Sequence, residues 1–337
     1  MTTLESPHRP SIRDRGAALG DHVAPAVLLL VAGAVLLLIG SLRSEIFAQQ
    51  TVTGLAEGAV YGSLALALVL VYRASRVINF AQGELAMATT YVAYQLITWG
   101  LSYWEAFFAT LAIAFVLGTL LQAVLVRPVQ HRSVIAAVIV TVGLFILVDG
   151  IVTWVWGGDF KYMPAPFGTT IYHVGGVAIA RLYLGILVVV LVSVLSVWAL
   201  FRFTKLGLGM RAAALRPAEA ALVGVRVDWM LAGGWGLATL LGAVAGLMAE
   251  PAEFVLQPTL MQPILVYAFA AAVLGGLESP VGAVAGGLAL GVSLNLIVQY
   301  VPEITSELQL PFAFAVLVVV LVLKPSGLFG RRVVRRV

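Results

Sequence analysis

Long uninterrupted stretches without Asp, Glu, Lys or Arg restrict this chain more than any other feature. They cover residues 22–42, 85–104, 106–126, 182–201, 229–249, 254–277 and 279–302. A helix rises about 1.5 Å per residue, so roughly 20 apolar residues cross the roughly 30 Å of bilayer hydrocarbon. Residues 51–72, interrupted by Glu57, residues 133–156, interrupted by Asp149, and the apolar run 308–323 complete a set of ten candidate spans. These runs are too long for membrane β-strands and lack their alternation of apolar and polar residues. The expected fold is therefore all-α: a polytopic integral membrane helical bundle of about ten transmembrane spans. Composition agrees, because 61% of the 337 residues are hydrophobic and only 11% charged, against about 25% charged in a soluble domain. Thirty-four glycines suit helices that approach closely inside lipid.

Alternating the gaps between spans sorts the basic residues. The side carrying the N terminus takes seventeen of the twenty Lys and Arg, leaving only Arg43, Lys161 and Arg181 opposite. By the positive-inside rule both termini are cytoplasmic and the span count is even. Residues 1–22 read as a disordered cytoplasmic tail ahead of a retained first helix, because the next apolar run is long enough to span and no small-residue cleavage site follows it. Residues 23–330 form the transmembrane domain, with a cytoplasmic loop at 204–228, and residues 331–337 form a basic cytoplasmic tail.

Several chemistries are excluded. No GxxxxGK[ST] phosphate loop precedes Lys161, Lys205 or Lys324, so any ATP-driven step needs a site on another subunit. The absence of cysteine removes disulfides, thiolate metal sites and a cysteine nucleophile. His8, His22, His131 and His173 have no ligand spacing, and neither HExxH nor GxSxG occurs. No catalytic residue, metal or cofactor is expected, and no basic stretch has the interleaved aromatics of a nucleic-acid platform.

Three segments interrupt the apolar pattern. In the first, Tyr72 to Glu84, two arginines, Asn79, Gln82 and Glu84 fall between long runs. This is either a wet turn or a break at the cytoplasmic mouth of a pathway. In the second, Leu274 to Gly287, Gly275, Gly276, Pro280, Gly282, Gly286 and Gly287 cluster, fitting either tight helix packing with a sharp turn or a transport pathway. Paired interruptions in two parts of a polytopic chain are the best sequence pointer to such a pathway. The third is the basic stretch Arg202 to Arg226, where Pro217 can open a helix and Gly224 can end one. It predicts two short helices at the membrane face, Gly209 to Leu215 and Pro217 to Val223. Ala220, Ala221 and Leu222 would offer a small apolar face rimmed by Arg211 and Arg216, a docking element for a cytoplasmic partner.

Of the intramembrane acids, Glu57 and Asp149 should be protonated, partnered or near an interface, since a carboxylate at the bilayer centre costs at least about 2.5 kcal/mol. The topology places both near the outer ends of their helices. Either could instead couple an ion-driven secondary transporter, the alternative to a partner-driven one; a structural scaffold would leave the basic loop unexplained.

The motifs Val77-Ile78-Asn79-Phe80-Ala81-Gln82-Gly83-Glu84, Leu274-Gly275-Gly276-Leu277 with Ser279-Pro280-Val281-Gly282-Ala283, Gly207-Leu208-Gly209-Met210-Arg211-Ala212 and Pro325-Ser326-Gly327-Leu328-Phe329-Gly330 occur in this order. Residues 51 to about 330 thereby resemble the inner-membrane permease subunits of branched-chain amino acid ABC importers, most closely the LivH type. In that family the first motif usually reads NFAHGE, so Gln82 replaces a histidine; a hydrogen-bonding role survives and an imidazole titration does not. The resemblance implies a prokaryotic plasma-membrane subunit working with two ABC ATPase subunits, a second homologous or identical permease and an extracytoplasmic solute-binding protein. It further implies an ATPase-coupling role for Arg211, Ala212, Glu219, Ala220, Ala221, Leu222 and Gly224. For Asn79, Gln82, Gly83, Glu84, Gly275, Gly276 and Pro280 it implies a place at the translocation pathway or its gate. The solute would be a branched-chain or related small, mostly apolar amino acid.

Overall fold

The computed structural model describes residues 45–130, 134–168, 170–174, 177–301, 305–324 and 327–329. The tail 1–22, the first candidate span 22–42 and the basic tail 331–337 lie outside the described residues. Helix α1 spans Glu45–Ser75, α2 Gln82–Thr98, α3 Tyr103–Leu121 and α4 Val134–Trp156. The antiparallel strands β1, Ile171–Val174, and β2, Val177–Ala180, lead into α5, Arg181–Phe203. The short helices α6, Lys205–Leu215, and α7, Pro217–Leu222, precede α8, Val227–Glu253; α9, Met261–Gly275, α10, Pro280–Tyr300, and α11, Gln309–Leu323, follow.

Among the described residues, seven helices are long and apolar enough to cross a membrane: Glu45–Ser75, Tyr103–Val129, Ile135–Trp156, Arg181–Phe203, Val227–Glu253, Pro280–Tyr300 and Ser306–Leu323. The chain is an all-α polytopic membrane protein. Two expected spans form shorter helices: α2 has 17 residues and α9 has 15, about 26 and 23 Å of rise. The run 254–277 is shortened because Phe254 adopts a left-handed conformation (φ 58°) and Leu256 pairs with Lys161 in an isolated bridge. Those backbone groups serve a loop instead of a helix.

Burial separates a centre from a rim. Helices α1 and α8 are enclosed over most of their apolar lengths, whereas α3, α4, α5 and α11 leave most of theirs open, a face suited to lipid. Glycine sets the central contact. A Cβ on Gly58 would lie 2.7 Å from the Gly287 carbonyl oxygen, and one on Gly291 would lie 2.4 Å from the Gly58 Cα. Antiparallel α1 and α10 therefore touch backbone to backbone, as small residues permit in membranes.

Local chemistry sets the helix starts. Ser102 and Glu105 form a capping box at the start of α3, Ser279 accepts from the Gly282 N–H ahead of Pro280 at the start of α10, and Thr204 accepts from the Gly207 N–H at the start of α6. Pro251 lies inside α8 and can give no N–H to the Leu247 carbonyl. The Tyr103 hydroxyl donates to that carbonyl instead, at 2.9 Å.

Candidate functional site

The two interruptions singled out in the sequence meet in space. After α1, Arg76 takes a left-handed conformation (φ 57°), and its guanidinium pairs with Glu278, between α9 and α10, at 2.5 Å. Both side chains are about half exposed, so the pair adds at most about 1 kcal/mol. It joins the two breaks at the surface. Phe80 stacks on Phe269 with ring centroids 5.7 Å apart, extending the junction from the first break to α9.

Behind this junction the polar residues of the first motif face inward. Asn79 and Gln82 are fully buried and Glu84 is 1% exposed. The Asn79 amide donates to Gln82 Oε1 at 3.0 Å, Asn79 Oδ1 accepts from the Ala81 N–H, and Gln82 Nε2 donates to the Ala238 carbonyl of α8 at 3.0 Å. Gly242 makes room for that reach, because a Cβ there would lie 2.8 Å from Gln82 Nε2. Gly83 brings α2 against α9, where a Cβ would meet Leu265 at 3.1 Å. Glu84 lies near Gln262 of α9, and its Oε2 has no hydrogen-bond partner. The first break is thus more than a wet turn: its polar side chains tie α2 to α8.

In the second break, a Cβ on Gly275 would lie 2.0 Å from the Gly282 carbonyl oxygen, so α9 and α10 pack backbone against backbone around the turn. Gly276, with φ 99°, reverses the chain. The last motif closes over this turn: the Leu328 N–H donates to the Leu274 carbonyl at 2.8 Å and the Phe329 N–H to Gly275 at 3.2 Å. A Cβ on Gly327 would lie 2.4 Å from the Gly276 Cα. Pro280 occupies the first turn of α10.

The basic loop is helical, with corrections. Its first helix begins at Lys205 instead of Gly209, capped by Thr204, and its second ends at Leu222. The Gly-Leu-Gly-Met run explains how α6 is held: a Cβ on Gly209 would lie 3.1 Å from Met230 Sδ, and Met210 Cε lies 2.8 Å from where a Gly233 Cβ would be. Gly224 closes the element with φ 83°. The expected apolar face is not the one found. Ala220 is 4% exposed, while Leu222 and Val223 are 88% and 79% exposed; a helix this short turns one alanine inward, so Ala220 packs and does not present. Ala221, Glu219 and Arg216 face outward, with Arg216 and Glu219 paired at 2.9 Å. That carboxylate holds the Arg216 guanidinium's pKa above its ordinary value. Arg211 is not part of the rim: with Ala212 it is half-buried, and it lines a cleft between helices.

Of the two intramembrane acids, Glu57 is partnered: half-buried on α1, it accepts from Asn295 of α10 at 2.8 Å. Asp149 is half-buried in α4. Among the described residues no three His, Asp or Glu side chains converge as metal ligands would.

A glycine-laced helical membrane protein with braced breaks at one end defines a polytopic membrane component, and comparison with known proteins specifies which kind. Residues 50–321 match the family described as branched-chain amino acid transport system / permease component; the chain belongs to that family. It is 30% identical over 305 residues to the high-affinity branched-chain amino acid transport system permease protein LivH of Salmonella typhimurium, covering 86% of this chain and 98% of that protein. It is 28% identical over 306 residues to the permease protein BraD of the corresponding Pseudomonas aeruginosa system, with the same coverages. It is also 28% identical over 302 residues to a probable LivH of Methanocaldococcus jannaschii, covering 81% of this chain and 91% of that one.

Proposed function

We propose that this chain is the permease subunit of an ATP-binding-cassette importer in a prokaryotic plasma membrane. It translocates branched-chain or related small, mostly apolar amino acids into the cytoplasm, driven by two separate ATPase subunits, supplied by an extracytoplasmic binding protein and paired with a second permease. The family match over residues 50–321 carries this reading, and the exposed α6–α7 element gives it a mechanism.

The distribution of charge supports the orientation. Arg76 pairs with Glu278 and Arg127 with Asp228, which puts these residues at one end of the bundle; Gln50 with Gln299 and Trp156 with Gln95 mark the other. The first end also carries Arg73, Arg202, Lys205, Arg211, Arg216, Arg226 and Lys324, while Lys161 and Arg181 lie at the second. Basic residues concentrate on the cytoplasmic side, so the α6–α7 element faces the cytosol.

There Leu222, Val223 and Ala221 seat in a cleft of the ATPase subunit, with Arg216 and Glu219 at the rim and Gly224 reversing the chain. Gly209 and Met210 transmit displacement of this element to α8. Because Gln82 ties α2 to α8 and Asn79 orders Gln82, movement of α8 carries the first break with it. Arg76, through Glu278, couples that break to Gly275, Gly276 and Pro280. Alternating access is then a rearrangement at the paired breaks on the cytoplasmic end, with Gly83 and Glu84 on the helix that moves. The ion-coupled alternative through Asp149 or Glu57 is not favoured, because the family and relatives that the chain matches are permease components of a transport system. Uptake of labelled leucine, isoleucine and valine into proteoliposomes tests the proposal: the chain alone should move none under a proton or sodium gradient. Uptake by the chain alone would overturn it.

A further inference from the structure

A cleft of about 590 Å³ opens between α1, α5 and α10, with Pro280 and Val281 of the second break among its walls. Its walls are apolar, with Leu66, Leu70, Leu195, Trp198, Val284 and Leu288 among them. At one end stand three guanidinium groups, Arg73, Arg202 and Arg211, and no carboxylate lines the cleft. None of the three has a carboxylate within ion-pair distance among the described residues. Glu278, paired with Arg76, acts on Arg73 only from beyond ion-pair distance, so apolar walls run into a net cationic end and match a molecule that is anionic at one end and hydrocarbon for the rest. We propose that this cleft is a binding site for an anionic phospholipid of the inner leaflet. Its phosphate lies among Arg73, Arg202 and Arg211, and an acyl chain lies along Leu66, Leu70, Val284 and Leu288. The site rests on the orientation proposed above, which puts the three arginines at the cytoplasmic leaflet.

Charge selects lipid over a second copy of this chain. A two-fold contact at this face would bring the same arginines towards their own copies, and no acid in the cleft offsets the repulsion. The position links lipid to transport, because Arg211 belongs to α6, the helix packed on α8 through Gly209 and Met210. An occupied cleft would tie α6 to α1 and α5, so the leaflet's composition would set how freely the element moves.

Native mass spectrometry of the detergent-purified full chain tests this, with dioleoylphosphatidylglycerol, dioleoylphosphatidylcholine and glycerol 3-phosphate as separate probes. The wild type should retain phosphatidylglycerol in preference to phosphatidylcholine. The double variant Arg73→Gln with Arg202→Gln should bind phosphatidylglycerol about 30-fold more weakly, and Arg73→Lys with Arg202→Lys should keep the preference. Equal retention of the two lipids by the wild type would overturn the proposal without recourse to any variant. So would saturation of the site by glycerol 3-phosphate, which would make it an anion site, or a crosslink from a cysteine placed at Trp198 to a second permease. The importer's own failure is read elsewhere, in ATP-dependent uptake.

Discussion

Gln82 shows how one side chain can hold a break in place. Its amide receives from Asn79 and gives to the Ala238 carbonyl in a fully buried position. Gln82→Leu would strand the Asn79 amide, and an unpartnered buried donor costs about 1 to 3 kcal/mol; a lower thermal midpoint of the purified protein is the expected result. Gln82→His keeps a ring N–H for Ala238 and should melt within a few degrees of the wild type. Tyr103→Phe should cost a similar amount, about 1 kcal/mol or more, because it leaves the Leu247 carbonyl with neither the Pro251 N–H nor the phenolic donor. The Tyr103 and Arg76 contacts were not legible in the sequence: Tyr103 to Leu247 and Arg76 to Glu278 join residues far apart in the chain, and nothing in local spacing marks either pair. The inward placement of Asn79 and Gln82 was a different matter, since polar residues between two apolar runs already required either water or partners.

At the scale of elements, α6 and α7 divide their residues between two jobs. The sequence announced the pair through Pro217 and Gly224, yet it misplaced the outward face, because a six-residue helix is too short for periodicity to tell which alanine turns inward. The distinction separates two variants one residue apart. Ala221→Glu puts a charge on an exposed position, so the permease should keep its thermal midpoint while ATP-dependent uptake falls to background in reconstituted complex. Ala220→Glu buries the charge and should lower the yield of folded permease itself. The central α1–α10 seam gives a second contrast. Gly58→Leu would drive a side chain into the Gly287 backbone, and overpacking of this kind costs about 1 to 3 kcal/mol or more, whereas Gly143, with nothing within 4 Å, should accept alanine with little change in melting.

For the whole molecule, hydropathy was the most legible property and geometry the least. Runs without charge located the helices because lipid leaves the backbone no alternative, and the glycine-rich stretches pointed to close approach without naming the partner helix. The shortening of the 254–277 run escaped notice, since its apolar composition is the same whether it crosses the membrane or folds back to pair Leu256 with Lys161. The account as a whole depends on an ATPase reaching the α6–α7 element from the cytosol. The chain contains no cysteine, so a single Leu222→Cys substitution in the permease expressed without its ATPase subunits, probed with a membrane-impermeant maleimide, reads this directly. The residue should label in inverted vesicles and stay unlabelled in intact cells, with Tyr162→Cys showing the reverse; labelling of Leu222→Cys in intact cells would contradict the account.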